Sequence, residues 1–123
     1  MARVNFFVKL FPSRDHDYHW QAEVANRARQ CLRGRALKGP VSVCLQVNLE
    51  RPENMPARQL PSLRKPALLN LTRQALAALA SARAIEDPRQ VVALTARKAW
   101  AQHAHQHGVL VQVSELGNGL PAD

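Results

Sequence analysis

The chain is predicted to fold as one α+β domain with a mixed or antiparallel four-stranded sheet and two main helices. Three observations predict this. Four segments carry strand signatures, two amphipathic helical segments are set among them, and 123 residues suit one core without metal or disulfide staples. No internal repeat or second domain is visible, so residues 1–123 form a single unit, with 116–123 reading as a frayed tail.

Val4 to Leu10 is rich in β-branched and aromatic residues and stops at Phe11-Pro12-Ser13, which marks a strand and a turn. From Tyr18 to Leu32, Trp20, Val24, Ala28 and Cys31 or Leu32 recur at helical spacing, with Arg27, Arg29 and Arg33 on other faces. This is an amphipathic helix with a basic outer side, ended by Gly34 and Gly39-Pro40. Val41, Val43, Leu45, Val47 and Leu49 then alternate with Ser42, Cys44, Gln46 and Asn48, the clearest strand in the chain. Residues 51–66 hold four prolines together with Arg58, Arg64 and Lys65, a composition that predicts an exposed basic loop. Past Pro66, Leu68, Leu71, Ala75, Leu79 and Ala82 share one face of a second helix ending near Arg83. Gln90 to Thr95 and Gly108 to Ser114 read as two more strands, and the polar stretch between them predicts an antiparallel hairpin.

Seventeen Lys and Arg against nine Asp and Glu give a net charge of +8, which draws the chain to polyanions, nucleic acid first. A membrane is not expected as partner, because no apolar run approaches the ~20 residues of a spanning helix and no leader is recognisable. A cytoplasmic protein is expected. Cys31 and Cys44 lack zinc-type spacing and read as buried small hydrophobes.

The stretch Arg64 to Val92 carries the most specific pattern. Lys65-Pro66-Ala67-Leu68-Leu69-Asn70-Leu71 precedes an Ala- and Leu-rich helix, and Ile85-Glu86-Asp87-Pro88-Arg89-Gln90-Val91-Val92 follows it. It resembles the RusA-type Holliday junction resolvases, in which the corresponding stretch reads approximately Lys-Pro-Asp-x-Asp-Asn-Leu, a helix, then Asp-Asp and a Gln-Val-Val strand. The resemblance implies a RusA-like fold, a homodimer seated on four-way junctions, and a role in DNA recombination and repair. The departures fall on the acidic ligands: Ala67, Leu69 and Pro88 stand where the family has aspartate. Asn70 matches, Asp87 matches the first of the later pair, and Arg73 takes the place of a phosphate-side Lys.

Magnesium wants oxygen ligands, and metal-assisted phosphodiester hydrolysis needs the ion to activate water and neutralise developing charge. Methyl and isobutyl groups supply neither, so Asp87 is a weak candidate metal ligand even with Glu86, Glu50 or Glu53 nearby. The enzyme reading, a magnesium-dependent junction endonuclease, is therefore the lesser one, and magnesium is expected only with residual nuclease activity; no other cofactor is expected. Loss of carboxylates beside the DNA backbone also removes phosphate repulsion. The expected DNA-contacting set is Arg58, Arg64, Lys65, Arg73, Arg97 and Lys98. Ala67 and Leu69 are expected to point toward the head of the strand that follows the helix, so that aspartates restored at Ala67, Leu69 and Pro88 would converge with Asp87.

Other clusters have plainer readings. His103, His105 and His107 could face one ion from an extended segment, but read as a polar hairpin tip. His16 and His19 with Asp15 and Asp17 read as a solvated helix entrance. Trp20 reads as core; Trp100 could equally stack on an unpaired base. The competing function is a protein-protein interaction module, in which the apolar substitutions have made the old active-site face a docking surface; an exposed Leu68 or Leu69 would be its sign.

Overall fold

The computed structural model describes residues 2–9, 17–49, 68–101 and 107–117. In chain order these form strand β1 (Arg3–Val8), helix α1 (Asp17–Leu32), strand β2 (Val41–Leu49), helix α2 (Leu68–Ser81), a 3-10 turn (Pro88–Gln90), strand β3 (Val91–Trp100) and strand β4 (Gly108–Glu115). The α+β class, the four strands and the two helices expected from the sequence are present.

The strand order is β1-β4-β2-β3. β2 pairs in parallel with β3 and antiparallel with β4, and β4 pairs antiparallel with β1. The hairpin expected between β3 and β4 is thus not formed: β2 lies between them. The physical reason is visible in the side chains. Val109, Val111 and Val113 of β4 are fully buried and need a central position, whereas β3 carries Thr95, Arg97 and Lys98 and leaves Val92 and Leu94 about half exposed, which suits an edge. The core demand of β4 outweighs the preference of consecutive strands for pairing.

One face of the sheet is the core. Val4, Phe6 and Val8 of β1, then Val41, Val43, Leu45 and Val47 of β2, alternate inward with the β4 valines. Trp20, Val24 and Ala28 of α1 and Leu71, Ala75 and Leu79 of α2 close over them. Thr72 is buried among these, its hydroxyl donating to the Leu68 carbonyl at 2.9 Å.

Both helices end on arginine in the left-handed region, Arg33 at φ 52° and Arg83 at φ 59°. The Arg33 N–H donates to the Arg29 carbonyl at 2.9 Å. After α2, Arg83 N–H donates to Ala80 and Ala84 N–H to Leu79, a Schellman closure that puts Ala84 and Ile85 into the core. Leu37 N–H then donates to the Ala84 carbonyl at 2.8 Å, which joins the two helix exits at the start of β2.

Candidate nucleic-acid interface

The topology gives the molecule two unlike ends. β1, β2 and β3 run in one direction, and the exit of α2 is tied to the start of β2, so α2 runs back against the strands. The carboxyl ends of parallel β2 and β3 therefore lie at the end where α2 begins, the edge at which open α/β sheets gather ligands. Of the predicted DNA-contacting residues, this half of the molecule holds three: Arg73 exposed in the second turn of α2, and Arg97 and Lys98 on β3. Arg97 lies on the sheet face away from the helices, where its Nε and Nη2 donate to Gln46 Oε1 at 3.2 and 2.6 Å. Gln46 Nε2 in turn donates to Asn48 Oδ1 at 2.9 Å. Lys98 is paired with Val47 and so faces the other side of the sheet. Arg58, Arg64 and Lys65 lie outside the described residues, as do Ala67, Glu50, Glu53, His16, Asp15, His103 and His105.

Leu69 does not converge with Asp87 and Pro88 within one chain. Leu69 and Asn70 are exposed in the first turn of α2, and Leu69 is 75% accessible. Asp87 and Pro88 lie beyond the other end of that helix, whose 14 residues span about 20 Å at 1.5 Å per residue. The convergence expected from the sequence needs the head of β3 beside the start of α2; a helix antiparallel to its strands separates them.

Asp87 has a structural occupation. It caps the 3-10 turn, one carboxylate oxygen accepting the Arg89 N–H at 2.8 Å and the other the Arg89 guanidinium at 2.9 and 3.1 Å. These hydrogen bonds from Arg89, side chain first and backbone second, hold its carboxyl below the usual carboxylate range. Gln90 completes the capping box, its Oε1 accepting from the Glu86 and Asp87 N–H groups, while its Nε2 donates to the Leu37 and Gly39 carbonyls. The Gln-Val-Val element of the resemblance is thus a backbone stitch between two linkers. The side chains of Leu69 and Pro88 offer no oxygen to a divalent cation, which leaves Asp87, itself bound to the Arg89 guanidinium, so these residues do not fit the magnesium that the resemblance implies. Among the described residues no group of three His, Cys, Asp or Glu comes together as a metal site.

The charge map shows what sequence reasoning missed. Glu23 pairs with Arg27, Glu86 with Lys38 and Asp87 with Arg89. Glu115 accepts the backbone N–H of Lys38 at 2.9 Å and of Ala2 at 3.2 Å, which hold its carboxyl below the ordinary range. Among the described residues, Arg3, Arg29, Arg33, Arg35 and Arg83 enter none of these ion pairs. These arginines gather where both helices end, whereas Arg73 lies near the start of α2. The spacing of Arg29 and Arg33 on one helix is legible in the sequence; their meeting with Arg3 and Arg83 needs the fold.

The remaining candidates resolve individually. Trp20 is fully buried and unable to meet a base; its indole N–H has no hydrogen-bond partner. Trp100 ends β3 half-buried, opposite Leu49. His19 is exposed in the first turn of α1, and His107 is half-buried before β4. The cysteines are not buried as expected. Cys31 is exposed because Ala28 and Leu32 take the inward positions of α1, and Cys44 is half-buried because it alternates with Val43 and Leu45 and faces the polar side of the sheet. Among the described residues, no helix is long and apolar enough to cross a membrane.

No protein-family model matches the chain, and no curated protein matches it. The likeness to the RusA-type resolvases rests on the residues between Arg64 and Val92.

Proposed function

We propose that this chain is a RusA-like DNA-binding protein, a homodimer that engages branched or duplex DNA in recombination and repair with its nuclease activity lost or strongly reduced. The observation that carries the reading is the imbalance of charge: the carboxylates of Glu23, Glu86, Asp87 and Glu115 are all engaged, while Arg3, Arg29, Arg33, Arg35, Arg73 and Arg83 are left without one among the described residues. Such cations gain most from a phosphate backbone, whose binding releases condensed counterions. Loss of cleavage is supported by Leu69 and Pro88, which cannot ligate a metal, and by Asp87, which caps its own turn.

The test is a gel-shift and cleavage series with a four-way junction, duplex, single-stranded DNA and RNA, at two salt concentrations, with and without magnesium. Binding that falls steeply with salt, and an intact junction, are expected. Micromolar protein that shifts no nucleic acid at low salt would refute DNA binding; symmetric nicking that survives stringent purification would restore the nuclease.

A second reading has its own support. Leu69 is 75% accessible at the start of α2, with Val92 at 51% and Leu94 at 48% on one face of the edge strand β3. These fit an interaction module built on a former nuclease scaffold. Replacing Leu69 by Ser leaves DNA affinity unchanged under the first reading and abolishes association with a protein partner under the second.

A further inference from the structure

The outer seam between α1 and α2 is a trough with a floor of small residues, Ala22 and Ala25 on one side and Ala78 and Ala82 on the other. Two cavities of about 340 and 310 Å³ lie along it and share Arg29. A third, of about 700 Å³, shares Leu32 and Arg35 with the second and continues to Arg33 and Arg3. From Gln21 to Leu32 alone the trough follows about 17 Å of helix. Arg29, Arg35 and Arg83 line its middle section, and no acidic side chain lines the first two cavities. Glu115 borders the third, but its oxygens accept from the Lys38 and Ala2 N–H groups.

Two further observations mark these cations as more than solvated surface. Arg29 Nη1 donates to Asn26 Oδ1 at 2.9 Å, which orders the guanidinium at the joint between the first two cavities. Arg33 and Arg83 occupy the left-handed positions that end the two helices, where glycine fits without strain. At both places a charged side chain stands where the backbone conformation favours glycine.

We infer that this trough binds the phosphodiester backbone of a nucleic-acid strand, along the outer seam of the helices toward their exits rather than at the edge formed by Asn70, Arg73 and the ends of β2 and β3. The inference rests on the DNA-binding reading and assigns it a different surface. Cations strung along an elongated open channel match a row of phosphates, and the alanine floor admits the backbone to the depth of the guanidinium groups.

The experiment is fluorescence anisotropy of labelled single-stranded and duplex DNA over a salt series. It compares the wild type with the triple variant Arg29→Gln, Arg35→Gln, Arg83→Gln and with Arg27→Gln, whose arginine is paired to Glu23 outside the trough. The triple variant is expected to weaken binding at least about tenfold at low salt and to reduce the slope of log K against log salt by about 2 to 3, at roughly 0.9 for each phosphate no longer neutralised. Arg27→Gln should stay within twofold of wild type. Arg83→Gly guards against a folding artefact: it relieves the left-handed residue, so its melting temperature should hold or rise while its salt slope falls by about 1. If the wild type binds and the triple variant keeps its affinity and slope, the trough is overturned and DNA binding stands. If the wild type binds no nucleic acid, the functional reading itself is overturned. Displacement of bound DNA by polyglutamate at equal charge would overturn the assignment to phosphodiester.

Discussion

Gln90 is the position at which one substitution tests the most structure. Its side chain makes four hydrogen bonds: Oε1 accepts from the Glu86 N–H at 2.6 Å and the Asp87 N–H at 3.0 Å, and Nε2 donates to the Leu37 carbonyl at 3.1 Å and the Gly39 carbonyl at 2.9 Å. The bonds to Asp87 and Leu37 are partly buried and the other two are exposed. Water replaces the exposed pair at little cost, while each partly buried bond contributes about 1 kcal/mol net. Gln90→Ala is therefore expected to cost about 2 kcal/mol, which for a domain of this size lowers the melting temperature by roughly 8 °C. Gln90→Glu adds a distinctive signature. Its carboxylate still accepts from the two N–H groups but sets a negative oxygen against two carbonyl oxygens, so its folded-state pKa is raised above the unfolded value. Its penalty relative to Gln90→Ala should be full near neutral pH and shrink as the pH falls through that raised pKa and the carboxyl protonates. Urea unfolding of the three proteins at pH 7 and pH 5 gives both quantities. A Gln90→Ala cost under about 0.5 kcal/mol, or a Glu-minus-Ala difference that ignores pH, would refute the stitch.

Three further outcomes are expected. A Cβ at Gly108 would collide with the Val8 carbonyl oxygen and lie 2.5 Å from Phe7 Cζ, so Gly108→Ala should destabilise by about 2 kcal/mol, and adding Phe7→Ala should not restore it because the backbone clash remains; denaturation midpoints read both. Asp87 and Glu115 have folded-state pKa values below their unfolded ones, so their stabilisation is present above the ordinary carboxylate pKa of about 4 and is lost as the pH falls through the depressed values; acid titration by circular dichroism should unfold Glu115→Gln with a smaller acid-induced loss than wild type. Replacing Ala67, Leu69 and Pro88 together by Asp should give no magnesium-dependent rise in the melting temperature of the monomer, because α2 holds the two ends apart; such a rise would refute the separation.

The sequence by itself determined the elements. β2 spans Val41–Leu49 in the structure as in the alternation, because strict period-two patterning leaves one way to bury a face. α2 follows its apolar stripe, and Trp20 goes to the core with Val24 and Ala28 as helical spacing requires. The +8 charge was likewise legible, being a property of composition. Strand order was not. Period two states that a strand has an inner face but not which strand lies beside it, and the local hairpin between β3 and β4 lost to the burial of Val109, Val111 and Val113 between β1 and β2. The same limit governs the candidate sites. The register taken from the resemblance brought Leu69 toward Asp87, and the rigid rise of α2 keeps them apart. Conversely Arg3, Arg29, Arg35 and Arg83 are scattered along the sequence, and only the antiparallel run of both helices against the strands brings their ends, and these charges, to one side of the molecule.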